Sequence, residues 1–321
     1  MKLFVTGAAG FIGSNYVRHV LDTTDDEVTI YDALTYAGNM ESIRDVLDDA
    51  RCEFVHADIC DADDVARSMD GHDAVVHFAA ETHVDRSIAD GSAFVRTNCI
   101  GTNVLCDVAH QVGVDKFLHI STDEVYGSVE EGSSHETDVL EPRSPYSAAK
   151  AGSDLIALSY HVTYGLPVVV TRCSNNYGPY QFPEKMIPLF TTNLIDGIQV
   201  PLYGDGLNIR DWIHVEDHNI AAHLVLERGT PGEVYNIGAG NELTNVELTH
   251  RLLELCGRDE SFIRRVDDRK GHDRRYSVDI SKIADLGWSL SRGFDDDLAA
   301  TVEWYRSNRE WWEPLKQAAG L

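Results

Sequence analysis

The chain has 321 residues, 43% of them apolar, and its 53 acidic against 27 basic side chains give a formal net charge of −26. So acidic a chain excludes nucleic acid and anionic membrane surfaces as partners on electrostatic grounds, and no apolar run reaches the roughly 18 residues that would span a bilayer. The length suits one large α/β domain with a smaller lobe better than a single compact core.

Along the first two thirds, short β-branched runs alternate with stretches of helical length, the pattern of βαβ units around a doubly wound parallel sheet of Rossmann type. The first strand, Lys2 to Thr6, runs into Gly7-Ala8-Ala9-Gly10-Phe11-Ile12-Gly13. A GxxGxxG turn there, after a strand and opening a helix, lets backbone approach a pyrophosphate at the positive end of that helix. The second strand, Glu27 to Asp32, ends on a carboxylate about 20 residues further on, placed to accept hydrogen bonds from an adenosine ribose and to repel a 2′-phosphate. NAD is thus favoured over NADP, although a strand-end Asp taken alone is often only a turn residue.

Strands follow at Phe54 to Ala57, Ala74 to Ala79 and Lys116 to Ser121, with a helix expected over Ser92 to Val112. Carboxyl ends of strands in such a sheet face the ligand, so Ser121-Thr122-Asp123-Glu124-Val125-Tyr126-Gly127 directs side chains at a substrate. Two adjacent carboxyls there can be driven apart in pKa, one left as acid and the other as base, though in a chain with 53 acids a polar loop is the competing explanation. Ser144 and Pro145 mark the start of a helix expected over Pro145 to Tyr164. Its Tyr146 and Lys150, four apart, share a face, and an ammonium beside a phenol is expected to lower the phenol pKa so that it can take a proton from a substrate hydroxyl.

After the strand Pro167 to Thr171 the pattern turns irregular from about Asn175, with Gly or Pro at 178, 179, 183, 188, 197 and 201. The expected division is therefore residues 1–174 as a dinucleotide-binding domain and 175–321 as a smaller lobe. Returning segments near 205–240, among them a helix over Asp217 to Glu227 and a strand over Glu233 to Ile237, make the boundary discontinuous.

Six scattered cysteines without a CxxC pair read as reduced, buried side chains, and no Cys/His cluster has metal-ligand spacing, so no metal is expected. With 20 Arg against 7 Lys and 33 Asp against 20 Glu, the charge bias suits a high-salt cytoplasm, where self-repulsion is screened. Nothing near Met1 has the form of a cleavable signal, and a cytoplasmic location is the default.

With these residues in view, the chain resembles the nucleotide-sugar 4,6-dehydratases of the extended short-chain dehydrogenase family, most closely those of the dTDP-glucose type. The resemblance covers nearly the whole length through TGAAGFIGS (6–14), YDALTYAGN (31–39), HADICD (56–61), AAETHVDRSI (79–88), STDEVYG (121–127), PYSAAKA (145–151), CSNNYGPYQFPEKMIP (173–188), YGDGLNIRDWIHVEDH (203–218) and DRKGHDRRY (268–276). It implies Tyr146 as the base that starts oxidation at sugar C4, Lys150 as its support and the holder of the nicotinamide ribose, and Thr122 as the partner of the 4-hydroxyl. It implies Glu124 as the base at C5 and Asp123 as the acid for the departing 6-hydroxyl.

For NAD the resemblance implies Phe11, Ile12, Asp32, Ala33, Leu34, Thr35, Asp58, Ile59, Ala80, Thr97 and Asn176, beside Gly7, Gly10 and Gly13. For the nucleotide sugar it implies Thr82, His83, Asn175, Lys185, Met186, Tyr203, Arg210, Asn245, Arg269 and His272. Lys185, Arg210 and Arg269 make chemical sense because a diphosphate requires cations. The sequence departs from the family pattern at Lys270, commonly Pro, and is shortened around 130–140. A homodimer is implied by the family. A nucleotide-sugar 4-epimerase or a UDP-glucuronate decarboxylase would share the glycine turn, Tyr146 and Lys150, and an epimerase has no use for Asp123-Glu124. A non-catalytic dinucleotide sensor would have no use for the tyrosine and lysine either.

Overall fold

In the computed structural model, which describes all 321 residues, the β-branched runs become twelve strands. They are β1 (Lys2–Thr6), β2 (Glu27–Asp32), β3 (Cys52–His56), β4 (Ala74–His77), β5 (Lys116–Thr122), β6 (Val168–Cys173), β7 (Asn175–Tyr177), β8 (Val200–Tyr203), β9 (Ile209–His214), β10 (Val234–Ile237), β11 (Glu242–Thr244) and β12 (Ile263–Val266). Seven make one sheet in the order β10-β6-β5-β4-β1-β2-β3, parallel throughout. The order reverses beside β1, which pairs with β2 on one edge and β4 on the other, and such a reversal opens a crevice at the carboxyl ends of the strands.

Successive side chains of a strand point to opposite faces, and both faces of this sheet are covered. Leu3 and Val5 join a core with Tyr16, Val17 and Val20 of the helix Phe11–Thr23 and Ala221, Ala222 and Val225 of the helix Val215–Arg228. Phe4, between them, joins Tyr31, Leu105 and Phe117 on the other face. Each of these strand residues is fully buried, worth ~1.5–3 kcal/mol per side chain relative to exposure. A separate core, built from Tyr177, Ile187, Phe190, Leu194, Trp212 and Leu252, lies under the small sheets β11-β9-β7 and β12-β8. We propose a two-lobed division on these cores, in which the helix Val215–Arg228 and β10 return to the large lobe while β9 stays with the small one.

Several boundaries differ from expectation for physical reasons. Strand β4 ends at His77 rather than Ala79, because the chain there passes directly over the glycine turn: a Cβ on Gly7 would lie 2.5 Å from the Ala79 amide nitrogen. The expected helix Ser92 to Val112 is helical throughout, but Val95–Gly101 is a wider π-type turn leading into Thr102–Val112. Such insertions re-aim side chains. Here the turn includes Asn98, whose amide holds the Glu81 backbone through both N–H and C=O at 2.9 and 3.1 Å. The helix Pro145–Tyr164 keeps its expected ends, with a Ser144–Ser147 capping box and Pro145 in the first turn.

No helix is long and apolar enough to cross a membrane, and all six cysteines are free. Acidic side chains gather in first helical turns, as with Asp63 and Asp64 or Asp295, Asp296 and Asp297, where the helix dipole favours them. With a net charge of −26, the remaining repulsion is screened by salt. Raising KCl from low to molar concentration should increase Tm by at least about 3 °C, a shift equivalent to roughly 1 kcal/mol; a flat Tm in scanning calorimetry would remove the case for a salt-adapted surface.

Candidate active site

The glycine turn is shaped by contacts that admit no side chain. Gly7 has φ +69°, and a Cβ on Gly13 would sit 2.6 Å from the Gly7 carbonyl oxygen. Gly10 precedes the helix Phe11–Thr23 and supplies no side-chain cap, so the first N–H groups of that helix are free for an anion. Beside the turn, Asp32 is 8% exposed. Its Oδ2 accepts the Ala9 N–H at 2.9 Å and its Oδ1 the Leu34 N–H at 2.8 Å. Burial raises its pKa and those two backbone bonds oppose the rise. Each oxygen keeps a lone pair for a ribose hydroxyl.

A cavity of about 320 Å³ runs from Asp32 to Tyr146, within the range of ligand sites. Gly7, Gly10, Phe11, Ile12, Gly13, Asp32, Ala33, Thr35, Asp58, Ile59, Ala80, Thr97 and Asn176 all line it, with Thr122, Tyr146 and Lys150. Leu34 does not. At φ +48° it turns its side chain against the core beneath the sheet and contributes only its N–H, to Asp32. Buried Asp32, the uncapped helix and the glycine cradle fit NAD in type and position.

Thr122 ends β5, and Asp123–Tyr126 form a single tight turn after it. The turn separates the two carboxyls. Asp123 is 3% exposed and is absent from the walls of this cavity. It takes the Thr122 hydroxyl on Oδ1 at 3.2 Å and leaves Oδ2 without a partner. Burial, then Glu124 and Asp211, push its pKa well above the usual carboxylate range. Glu124 lines the dinucleotide cavity and also a second cavity of about 440 Å³. Burial raises it too, but Arg269, Arg210 and Lys185 pull it back. The acid and base are thus distinguished by their neighbours.

Lys150, 5% exposed, donates to the Ile120 carbonyl at 2.7 Å. The expected lowering of the Tyr146 pKa is not what the surroundings give. Burial, then Glu124, Cys173 and Asp123, raise it well above its usual value, and a hydrogen bond to Thr122 opposes the rise. Burial dominates, and the Lys150 ammonium is turned to the Ile120 carbonyl.

The second cavity brings together Thr82, His83, Asn175, Lys185, Met186, Tyr203, Arg210, Asn245, Arg269 and His272. Lys185 Nζ donates to the Thr82 carbonyl at 3.1 Å, and Arg210 donates to the Asp273 carbonyl at 3.0 Å while stacking 4.3 Å from the Tyr276 ring. Arg269 Nε and Asn245 Oδ1 are buried without partners. His272 Nδ1 lies 2.6 Å from Asp268. His83 is pushed down to about 3 by burial and then by Lys185, Arg86 and Arg269. So many cations around one hollow suit a diphosphate. Lys270 is exposed, and Arg269 beside it is half-buried.

Of the residues that join the two cavities, sequence reasoning missed Gln181 and Glu184. Thr82, Glu124, Asn175, Asn176, Gln181, Glu184 and Lys185 line both. At this junction Arg86 stacks 3.8 Å from the Tyr36 ring and pairs with Glu184 at 3.2 Å. All three occur in the motifs quoted above, but nothing in their types or spacing marks a contact between segments as far apart as 36, 86 and 184.

A glycine-turn dinucleotide cleft with Tyr146 and Lys150 at its inner end, opening onto a cationic hollow, defines an enzyme of the extended short-chain dehydrogenase class acting on nucleotide sugars. The family model described as GDP-mannose 4,6 dehydratase matches residues 4–301, and the chain belongs to that family. It is 58% identical to a dTDP-glucose 4,6-dehydratase of Streptomyces antibioticus, across 99% of this chain and 96% of the relative. Its fold matches the solved dTDP-glucose 4,6-dehydratase DesIV of Streptomyces venezuelae with NAD bound, at a TM-score of 0.97 and 57% identity over 98% of this chain and all of that one. It also matches a UDP-glucose 4-epimerase of Thermus thermophilus in complex with NAD, at 0.89 and 30% identity over 96% of this chain and all of that one. Fold alone therefore does not separate the two activities, and the side chains must.

Gly7→Ala should strain the backbone by ~1–3 kcal/mol and force Ala79 away from the turn. The expected result is a lower Tm together with loss of dinucleotide through desalting; a variant that keeps both would show that the close approach is dispensable.

Proposed function

We propose that the protein is an NAD-dependent lyase that dehydrates dTDP-glucose to dTDP-4-keto-6-deoxyglucose, a supply step for deoxysugars such as rhamnose. The observation that carries this reading is the adjacent Asp123 and Glu124, one buried with its pKa pushed well up, the other open to both cavities, beside Tyr146. An epimerase needs neither.

The glycine turn, Asp32, Asp58, Ile59, Thr97 and Lys150 would hold NAD. When bound it supplies a hydride acceptor for C4, a donor for C6 and a positive charge that favours ionisation of the Tyr146 phenol. Tyr146 takes the proton of the 4-hydroxyl, which Thr122 orients. The resulting C4 ketone acidifies the C5 hydrogen, and the Glu124 carboxylate removes it. Asp123 gives its proton to the 6-hydroxyl, which departs as water and leaves a C5–C6 double bond. Hydride returns to C6 and Glu124 returns the proton to C5, so the product is a ketone with no net change of oxidation state. The proton retained by Tyr146 balances the one given up by Asp123. Lys185, Arg210 and Arg269 would bind the diphosphate, their charge complementary to it.

Incubation with dTDP-glucose should give the alkali-induced absorbance of a 4-keto-6-deoxy sugar; formation of UDP-galactose from UDP-glucose instead would replace this reading with an epimerase. Glu124→Gln should lower kcat by ~10²–10⁴ and accumulate reduced nicotinamide with C4-oxidised sugar, whereas turnover at the unaltered rate would deny Glu124 its place at C5.

We assign the enzyme to the cytoplasm, as its free cysteines and nucleotide-linked substrate suggest. We also propose a homodimer through the helices Thr102–Val112 and Pro145–Tyr164 with their flanking turn. Val95, Ile100, Leu155, Val162 and Tyr164 leave 52–84% of their surface open there, more apolar surface than a solitary face of this kind favours. Leu155→Glu combined with Val162→Glu should convert a dimer to a monomer in analytical ultracentrifugation; a dimer that survives both charges uses another face.

A further inference from the structure

Behind the catalytic lysine lies a charge network that none of these steps uses. The buried face of the helix Pro145–Tyr164 repeats every four residues through Tyr146, Lys150 and Asp154, the last with no exposed surface. Asp154 Oδ2 accepts from Arg172 Nε at 2.9 Å, an ion pair whose side chains are 0% and 4% exposed. His119 Nε2 lies 3.3 Å from Asp154 Oδ1 and 3.1 Å from Ser153 Oγ, and that hydroxyl donates to the Lys150 carbonyl at 2.8 Å. Arg172 also donates to the Tyr126 hydroxyl at 2.9 Å, which in turn donates to Asn236 at 2.8 Å. The pair is thereby fixed to β5, β6 and β10 at once.

Two charges taken out of water are costly to keep, and this pair sits one helical turn from an ammonium whose own hydrogen bond goes to a neutral carbonyl. Tyr146 and Asp154 lie one turn to either side of Lys150 on its own helix, and Cys99 of the π-type turn, His77 of β4, His119 of β5 and Cys173 of β6 surround it. Burial keeps both histidines low and both thiols high, Cys173 at about 12, so these four are neutral. Burial would raise Asp154 as well, but His119, Arg172 and Lys150 hold it below the usual carboxylate range. Asp154 is therefore ionised, and its charge is the largest influence opposing the desolvation of Lys150.

We propose that Asp154, clamped by Arg172 and His119, is a positioning residue that supplies the counter-charge keeping Lys150 an ammonium at the inner end of the dinucleotide cleft. This rests on the reading that Lys150 serves Tyr146 and the cofactor ribose. Burial lowers the lysine pKa and Asp154 raises it, so removing Asp154 shifts deprotonation of Lys150 to lower pH.

The test uses holoenzyme labelled with carbon-13 in its seven lysines, the Lys150 resonance being assigned by its loss in Lys150→Arg. Asp154→Asn combined with Arg172→Met removes both charges and strands neither. Its lysine midpoint should fall by at least one pH unit, kcat at neutral pH should drop and recover on acidification, and KM should stay within twofold. Asp154→Glu should restore the original midpoint. An unchanged midpoint in the double variant overturns the proposal, whether or not kcat is lost, since lost rate without a shifted lysine marks a purely structural pair. If the double variant does not fold, Asp154→Asn alone is read by the same criterion. The resonance reports on the lysine with or without sugar turnover, so failure of the dTDP-glucose assay leaves it readable.

Discussion

The site depends on one constraint: seven parallel strands deliver their carboxyl ends to the same edge, and the order reverses beside β1. β1 ends in the glycine turn, β2 in Asp32 and β5 in Thr122 and the carboxyl pair. Each side chain comes from a different βαβ unit, and none could be moved along its strand without losing register with its neighbours. The close passage of Ala79 over Gly7 locks two of these ends together. Chemistry on a sugar against a dinucleotide then needs only one further element, the capped helix that carries Tyr146 and Lys150 across the gap.

Much of this was legible in the sequence because it is local. The strands β1 and β2 and the helix Pro145–Tyr164 follow their expected bounds, since alternation, a Ser-Pro start and a terminal glycine are properties of neighbours in the chain. The glycine turn and Asp32 were legible for the same reason. What escaped is non-local. Leu34 belongs to a quoted motif yet faces the core, because its backbone must turn back to reach Asp32. The Tyr36–Arg86–Glu184 contact joins three segments that only the fold brings together.

The electrostatics were the least accessible part. A phenol and an ammonium four residues apart suggest mutual stabilisation, but burial and two carboxyls from the turn after β5 reverse the expected direction for Tyr146. Asp123 and Glu124 look equivalent in the chain. A single tight turn withdraws one from solvent and presents the other to three cations, so their difference arises from depth and neighbours rather than from residue type. The loop after them is tied down by Ser134 to Ser277 and by Glu136 to the Asn236 amide.

The wall shared by the two cavities has a metabolic consequence. Because Thr82, Asn176 and Lys185 border both hollows, a sugar seated in one shields the reactive end of the other, and the hydrogen taken from a hexose is returned to that same hexose. An enzyme built this way draws no reducing equivalents from the cell. Its flux follows the supply of activated sugar and is indifferent to whether the surrounding pool of pyridine nucleotides is oxidised or reduced.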